Sequence, residues 1–321
     1  MPPRTSRRAA IAGAVAALAP ALAKGRAPAA GPAFAYPIHE PGRAPGDGFF
    51  VEIGYACENL ADFPGWWHTG ENWHRLAGDT AGAEVVAAAA GEVVFAGYDY
   101  PGPVVIVRHA ADLFSVYGHL DYALDVAVGD RLARGQRIGA VLPQAANNAH
   151  LHFELRTFLT NDRVNGAAPE WGVNCGVQCP PGPGYWPMAA SEHPSDLGWR
   201  NPTHAIARRA WPGGVPAGAE AVVAVGAAGI IALWSVPPGQ PGAEPIGEMA
   251  LAPGARLPLR GIAAGEEADR GLGADATRLW YRIGLPQGDA AWLQATAPSF
   301  DFVGADGRPA AVRFVLLPAV D

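Results

Sequence analysis

Ala149-His150-Leu151-His152-Phe153-Glu154-Leu155-Arg156 alternates polar with apolar residues. A strand sends successive side chains to opposite faces, so His150, His152 and Glu154 share one face and Leu151, Phe153 and Leu155 the other. Two imidazoles two residues apart on a strand stand roughly 6–7 Å apart on the same side. That spacing lets one ring hold a metal while its neighbour reaches a water or substrate beside it. An isolated His-x-His more often belongs to an ordinary half-buried strand. Here two more histidine segments precede it, His68-Thr69-Gly70-Glu71-Asn72-Trp73 and Tyr117-Gly118-His119-Leu120, and they shift the balance toward a metal site.

The surrounding chain reads as β-structure. Phe49-Phe50-Val51-Glu52-Ile53 has strand composition. Ala83-Glu84-Val85-Val86 and Gly91-Glu92-Val93-Val94-Phe95-Ala96-Gly97 follow. Val104-Val105-Ile106-Val107-Arg108-His109, a turn at Ala110-Ala111-Asp112, and Phe114-Ser115-Val116-Tyr117-Gly118-His119-Leu120 predict a hairpin. On its second strand Ser115, Tyr117 and His119 are expected to share a face. His109, at the end of the partner strand, reads as structural. Two short strands punctuated by glycine come next, Val126–Leu132 and Gly135–Val141. No stretch between residues 49 and 158 has a helical period, so this part is mainly antiparallel β.

Length and composition bound the rest. The 321 residues suggest two domains, and 50% hydrophobic residues suffice for packed cores. The 41 Gly and 31 Pro favour turns and short strands over long helices. A net charge of −7 without any Lys/Arg run excludes a nucleic-acid binder and a basic membrane-surface patch. Arg4, Arg7 and Arg8 precede an apolar run from Ala9 to Leu22, too short to span a bilayer, and Ala21-Leu22-Ala23 supplies a small-x-small cleavage pattern. Residues 1–26 therefore read as a signal peptide, of possible twin-arginine type, and the protein is expected in the periplasm or outside the cell. Residues 27–48, rich in Pro, Gly and Ala, read as a linker. In an oxidising compartment Cys175 and Cys179 suit a short-loop disulfide, and Cys57 is the odd cysteine. The loop-rich stretch 159–212 reads as an extension of the first domain, 49–212. Residues 213–321 carry a second set of short strands without histidine or cysteine.

A catalytic zinc takes about three protein ligands from His, Asp or Glu and leaves one position open. His68 and position 72 from one loop, with His152 from a strand, would leave that fourth position open. His119 and His150 would then shuttle the proton and stabilise the oxyanion of amide hydrolysis.

His68-x-x-x-Asn72, Tyr117-Gly118-His119-Leu120 and His150-Leu151-His152-Phe153-Glu154, in this order, resemble the M23 peptidases of the lysostaphin and LytM type. Gly91-Glu92-Val93-Val94, Val128-Gly129-Asp130 and Gly135-Gln136-Arg137-Ile138-Gly139 fit the same frame. The resemblance covers about residues 49–160. It implies an antiparallel β fold of the duplicated hybrid motif kind, a zinc ion, and endopeptidase cleavage of peptidoglycan peptides. By position, His68, Asn72 and His152 would hold the zinc and His119 and His150 would form the catalytic pair. One departure stands out, because the family motif has Asp where this chain has Asn72; Glu71 and Asp79 are nearby carboxylates that would serve as substitutes. Leu279-Trp280-Tyr281-Arg282-Ile283 with Ala291-Trp292-Leu293 resembles the closing strands of a bacterial SH3-like barrel, a module that accompanies wall hydrolases. Two functions follow from these resemblances: a secreted zinc endopeptidase, or a non-catalytic wall-binding regulator of another hydrolase. Neither predicts a nucleic-acid partner or a membrane span once the signal is cleaved, and oligomeric state is not legible in the sequence.

Overall fold

Apolar residues recur at every second position, and Gly or Pro interrupts most runs, so strand follows strand. A computed structural model describes residues 34–165, 182–206, 218–223, 229–264 and 279–295, apart from short gaps, with the backbone of three short strands between 302 and 317. The expected signal peptide and the three cysteines lie outside the described residues. Among the described residues, no helix is long and apolar enough to cross a membrane.

Among the described residues, the first part of the chain supplies fourteen strands in sequence order. These are β1 (Ile38–His39), β2 (Phe49–Ile53), β3 (Glu58–Asn59), β4 (Phe63–His68), β5 (Glu71–Arg75), β6 (Glu84–Val86) and β7 (Gly91–Gly97). They continue as β8 (Val104–Ala110), β9 (Leu113–Gly118), β10 (Arg131–Leu132), β11 (Arg137–Ala140), β12 (Leu151–Arg156), β13 (Tyr185–Pro187) and β14 (Trp199–Arg200). The expected hairpin is present as β8 and β9. The central sheet runs β10-β7-β8-β9-β12-β5-β2, with β14 pairing the far end of β12, and its pairings are antiparallel.

Strand β12 divides this sheet into a dry face and a polar one. Leu151, Phe153 and Leu155 join Trp73, Val105, Val107 and Tyr117 in one apolar cluster. Burying each of these larger side chains contributes about 1.5–3 kcal/mol, which fixes the register of β12 against a one-residue slip. His152, Glu154 and Arg156 consequently lie on the opposite face, buried as well.

The linker expectation fails for its C-terminal part. Phe34, Tyr36 and Ile38 are fully buried in the core, β1 pairs with β6, and the Tyr36 ring lies 4.8 Å from that of Trp73. Phe34-x-Tyr36-x-Ile38 has the period of a strand, and the surrounding Pro/Gly/Ala composition concealed it.

Residues 159–206 add edges to the strands that carry the histidines. Strand β13 pairs with β4, and β14 pairs with β12. Trp67, Trp186 and Trp199 pack together with Tyr55 beneath them. Farther on come β15 (Glu220–Val223), β16 (Gly229–Trp234), β17 (Pro245–Leu251), β18 (Arg256–Ala264), β19 (Leu279–Gly284), β20 (Ala290–Gln294), β21 (Phe302–Val303), β22 (Pro309–Ala310) and β23 (Phe314–Leu317). They include a seven-stranded antiparallel sheet in the order β17-β16-β20-β19-β18-β15-β23. Tyr281, Ile283 and Leu293 of this sheet belong to the same apolar cluster as Phe34 and Phe153. Arg256 bridges Asp47 and Glu220 at 2.9 Å each. Mainly antiparallel β is the architecture throughout.

Candidate metal centre

The site forms where β12, β5 and β4 converge. His152 sits opposite Asn72 in the β12–β5 register, so both side chains project from the same face. His68 ends β4, and Thr69-Gly70 carries the chain directly into β5. His68 and Asn72 were expected on one loop; they terminate and begin adjoining strands. Gly70 is required at that crossing, because a Cβ there would lie 2.4 Å from the Phe153 carbonyl oxygen and 2.9 Å from Glu154 Cγ.

Three acceptor atoms meet at this point. His68 Nε2 lies 3.0 Å from His152 Nδ1, and Asn72 Oδ1 lies 3.2 Å from the same nitrogen. The outer nitrogens are engaged elsewhere: His68 Nδ1–H donates to the Gly54 carbonyl at 3.3 Å, and His152 Nε2–H donates to Glu154 Oε1 at 3.1 Å. These outer bonds select the tautomers that leave lone pairs on His68 Nε2 and His152 Nδ1, facing each other. Two ring nitrogens and an amide oxygen this close could hold a cation between them. Two ligands about 2.0–2.1 Å from a tetrahedral zinc stand about 3.3 Å apart, so the rings are within roughly 0.3 Å of chelating separation.

Burial favours the neutral form of His68. Burial pushes His68 well below the ordinary imidazole pKa, and repulsion from His152 adds to it. Burial alone would push Glu154 up. The His152 hydrogen bond and the Arg156 guanidinium outweigh that and leave it below the ordinary carboxylate value, helped by Thr69 Oγ1–H at 2.6 Å. Trp199 Nε1–H donates to its other oxygen at 3.0 Å. Glu154 is thus a charged, fully hydrogen-bonded anchor behind His152.

The remaining histidines gather one step along the same face. His150 Nδ1–H donates to the Asn148 carbonyl at 2.8 Å, and the His119 ring lies 4.5 Å from the His150 ring, edge to face. Continued alternation along β9 would send His119 into the core with Tyr117. Instead its φ is +59°, a left-handed conformation rare for histidine, and this turns the ring toward His150. The expectation that Ser115, Tyr117 and His119 share a face therefore fails at its last member. Burial pushes His119 down to about 3, with His152 and His74 adding repulsion. His150 is lowered by burial and then by His119 and His74.

His74 is the neighbour that the sequence reading missed. Its ring stacks on His150 at 5.1 Å with 24° between the planes, and its Nε2 is 2.8 Å from Glu52 Oε2. The available signal was alternation: once Asn72 is on a strand, His74 shares its face.

Neither proposed carboxylate substitute reaches the site. Glu71 points to the opposite face of β5, where Thr203 N–H at 2.9 Å, Thr203 Oγ1–H and Trp73 Nε1–H serve it. Asp79 accepts the Ala81 N–H within its own turn. Among the described residues, no three His, Cys, Asp or Glu side chains form a metal-binding group. His109 is structural, as expected: its Nδ1 meets the Ala90 carbonyl at 2.9 Å and its Nε2 the Ser115 hydroxyl at 2.7 Å.

Residues 70–166 match the model of peptidase family M23. This part of the chain is an M23-type peptidase domain. The matched segment contains Asn72, His119, His150 and His152, and His68 lies two residues before it. No curated protein matches the chain. Among solved structures, a zinc-containing peptidase from Vibrio cholerae is similar at 24% identity over 38% of this chain and 36% of that one, with a TM-score of 0.29. The catalytic domain of the prophage-encoded M23 protein EnpA from Enterococcus faecalis is similar at 24% identity over 39% of this chain and 87% of that one, with a TM-score of 0.29. Lysostaphin from Staphylococcus simulans is similar at 16% identity over 84% of this chain and 95% of that one, with a TM-score of 0.31. The chain thus spans about a third of the Vibrio protein's length. The domain assignment rests on the family match rather than on these structures.

Proposed function

We propose that this chain is an exported zinc metalloendopeptidase that hydrolyses peptide cross-links of bacterial peptidoglycan. The observation that carries the reading is the pair of ring nitrogens, His68 Nε2 and His152 Nδ1, facing each other at 3.0 Å with Asn72 Oδ1 3.2 Å from the latter. His68, His152 and Asn72 would hold the zinc. When bound, zinc supplies polarisation of the scissile carbonyl and activation of a water at neutral pH.

The protein's own groups have defined tasks in this reading. His150, with its Nδ1–H held by the Asn148 carbonyl, keeps an Nε2 lone pair free to take the attacking water's proton. The same proton then goes to the leaving amine as the C–N bond breaks. His119, neutral through burial, has an N–H to donate to the oxygen on which charge develops. Buried Glu154 and the Gly54 carbonyl orient the two zinc-binding rings. Export follows from the arginine-flanked apolar run at residues 4–22. Residues 213–321 are proposed as an SH3-like module that shares the apolar core of the preceding part and adds affinity for wall peptides.

The neutral Asn72 favours a second reading, a wall-binding regulator that does not cut. Isolated peptidoglycan incubated with the zinc-loaded protein, followed by mass spectrometry of the soluble products, separates the two. The peptidase reading expects released muropeptides with newly exposed peptide termini, abolished by a chelator. An undigested wall to which the protein remains bound sinks it and leaves the regulator.

A further inference from the structure

Glu52 and His74 have no task in the reading above, yet they form a buried acid–imidazole pair whose imidazole stacks on His150. Glu52 is 4% and His74 9% exposed. Their placement is built. In the β2–β5 pairing Val51 faces Trp73 and Ile53 faces Asn72, so Glu52 is an extra residue in the ladder. A bulge of this kind re-aims a side chain, and this one delivers the carboxylate to His74 Nε2 at 2.8 Å. His74 in turn presents its ring face to His150, 5.1 Å between centroids and 24° from parallel. Phe50, directly across the ladder, has its ring 5.9 Å from that of His74. His150 is thereby held by the Asn148 carbonyl at one nitrogen, by His74 on a face and by His119 at 4.5 Å.

We propose that Glu52 and His74 are positioning residues, a dyad that fixes the orientation of the His150 ring. The inference rests on the catalytic role given to His150 under the proposed function. A ring held only by its Nδ1–H bond can still pivot about that bond. The stacked imidazole removes this freedom, and Glu52 keeps the stacked imidazole in place. The His74–Glu52 bond and the His74–His150 stack involve none of the zinc-binding side chains, so metal retention should not depend on the dyad. A displacement of about 1 Å in a reacting group costs on the order of 100-fold in rate, which sets the scale of the effect.

The test uses the full-length zinc-loaded protein. His74→Ala should lower kcat on a soluble cross-linked muropeptide 10- to 100-fold while KM stays within about twofold and zinc content is unchanged. Glu52→Gln keeps an acceptor oxygen toward His74 and should lose less than about fivefold. Nitrogen-15 relaxation of the histidine rings should show a rigid His150 side chain in wild type and in Glu52→Gln, and a mobile one in His74→Ala. Unchanged kcat and an unchanged His150 signature in His74→Ala overturn the dyad. If His74→Ala does not fold, His74→Gln keeps a donor for Glu52 but removes the stacked ring, and the same losses are expected. Should wild type bind zinc and cut nothing, the peptidase reading falls, and the NMR comparison still decides the dyad.

Discussion

Replacing Asn72 with Asp changes one atom type and one unit of charge at the place where the site is weakest. Asn72 Oδ1 is 3.2 Å from His152 Nδ1 and the residue is buried, so an aspartate needs no new backbone position. Unit charges about 4 Å apart interact by about 4 kcal/mol at an effective dielectric of 20, and a dication doubles that. Taking a carboxylate out of water costs several kcal/mol, and Glu154, one imidazole away, repels the newcomer. A net gain of about 3 kcal/mol remains, on the order of 100-fold in zinc affinity. Competition with a chromophoric chelator at pH 7.5 gives both dissociation constants, and hydrolysis at limiting zinc gives the functional counterpart. Asn72→Asp should bind zinc about 100-fold tighter and be the more active enzyme when zinc is scarce. Equal affinities would mean that position 72 does not face the metal, and the ligand set would have to be redrawn.

Other outcomes follow from the same geometry. His68→Ala and His152→Ala should lose zinc, measured by elemental analysis after dialysis, whereas His119→Ala and His150→Ala should keep it and lose hydrolysis; zinc loss in His150→Ala as complete as in His152→Ala would reverse the roles on β12. Gly70→Ala places a Cβ against the Phe153 carbonyl and Glu154 Cγ, so it should cost about 1–3 kcal/mol in urea unfolding and weaken zinc binding, because both neighbouring ligands move. Zinc-free protein should lose stability as pH falls. His68, His119 (pushed down to about 3) and His150 all have folded-state values below the unfolded one. The unfolded chain therefore takes up their protons first, so their contribution is full above about pH 6.5 and drains away toward pH 3. Burial pushes Glu71 up to about 7 against its Thr203 bonds, and a raised carboxylate acts in the opposite sense, stabilising below about 4.5 and fading as pH rises through 7. Three imidazoles outweigh one carboxylate, so the urea midpoint should be lower at pH 5 than at pH 7.5. The reverse order would contradict these environments.

Much of this arrangement is legible in residue types and spacing. Alternation in 149–156 gives β12, its two faces and the neighbourhood of His150 and His152, because burial of Leu151, Phe153 and Leu155 leaves no other register. The hairpin of β8 and β9 is equally direct. Three features resist such reading, each for a physical reason. His119 leaves the alternation through a left-handed backbone, and local sequence gives no sign of a positive φ at a non-glycine residue. His74 was hidden by treating His68–Trp73 as a loop, which removes the face relation between Asn72 and His74. Glu52 reaches His74 through a bulge, which shifts which residues oppose each other and has no compositional mark. Phe34-x-Tyr36-x-Ile38 shows the converse case, a readable strand signal masked by the average composition around it.

The central claim is that His68 and His152, with Asn72, hold one zinc ion. X-ray absorption at the zinc edge of the full-length protein loaded with one equivalent tests it most directly. The account predicts a four-coordinate ion with two imidazole nitrogens and oxygen donors at about 2.0–2.1 Å, and loss of imidazole scattering in His152→Ala. A shell of oxygens alone, or a spectrum that His152→Ala leaves unchanged, would contradict it.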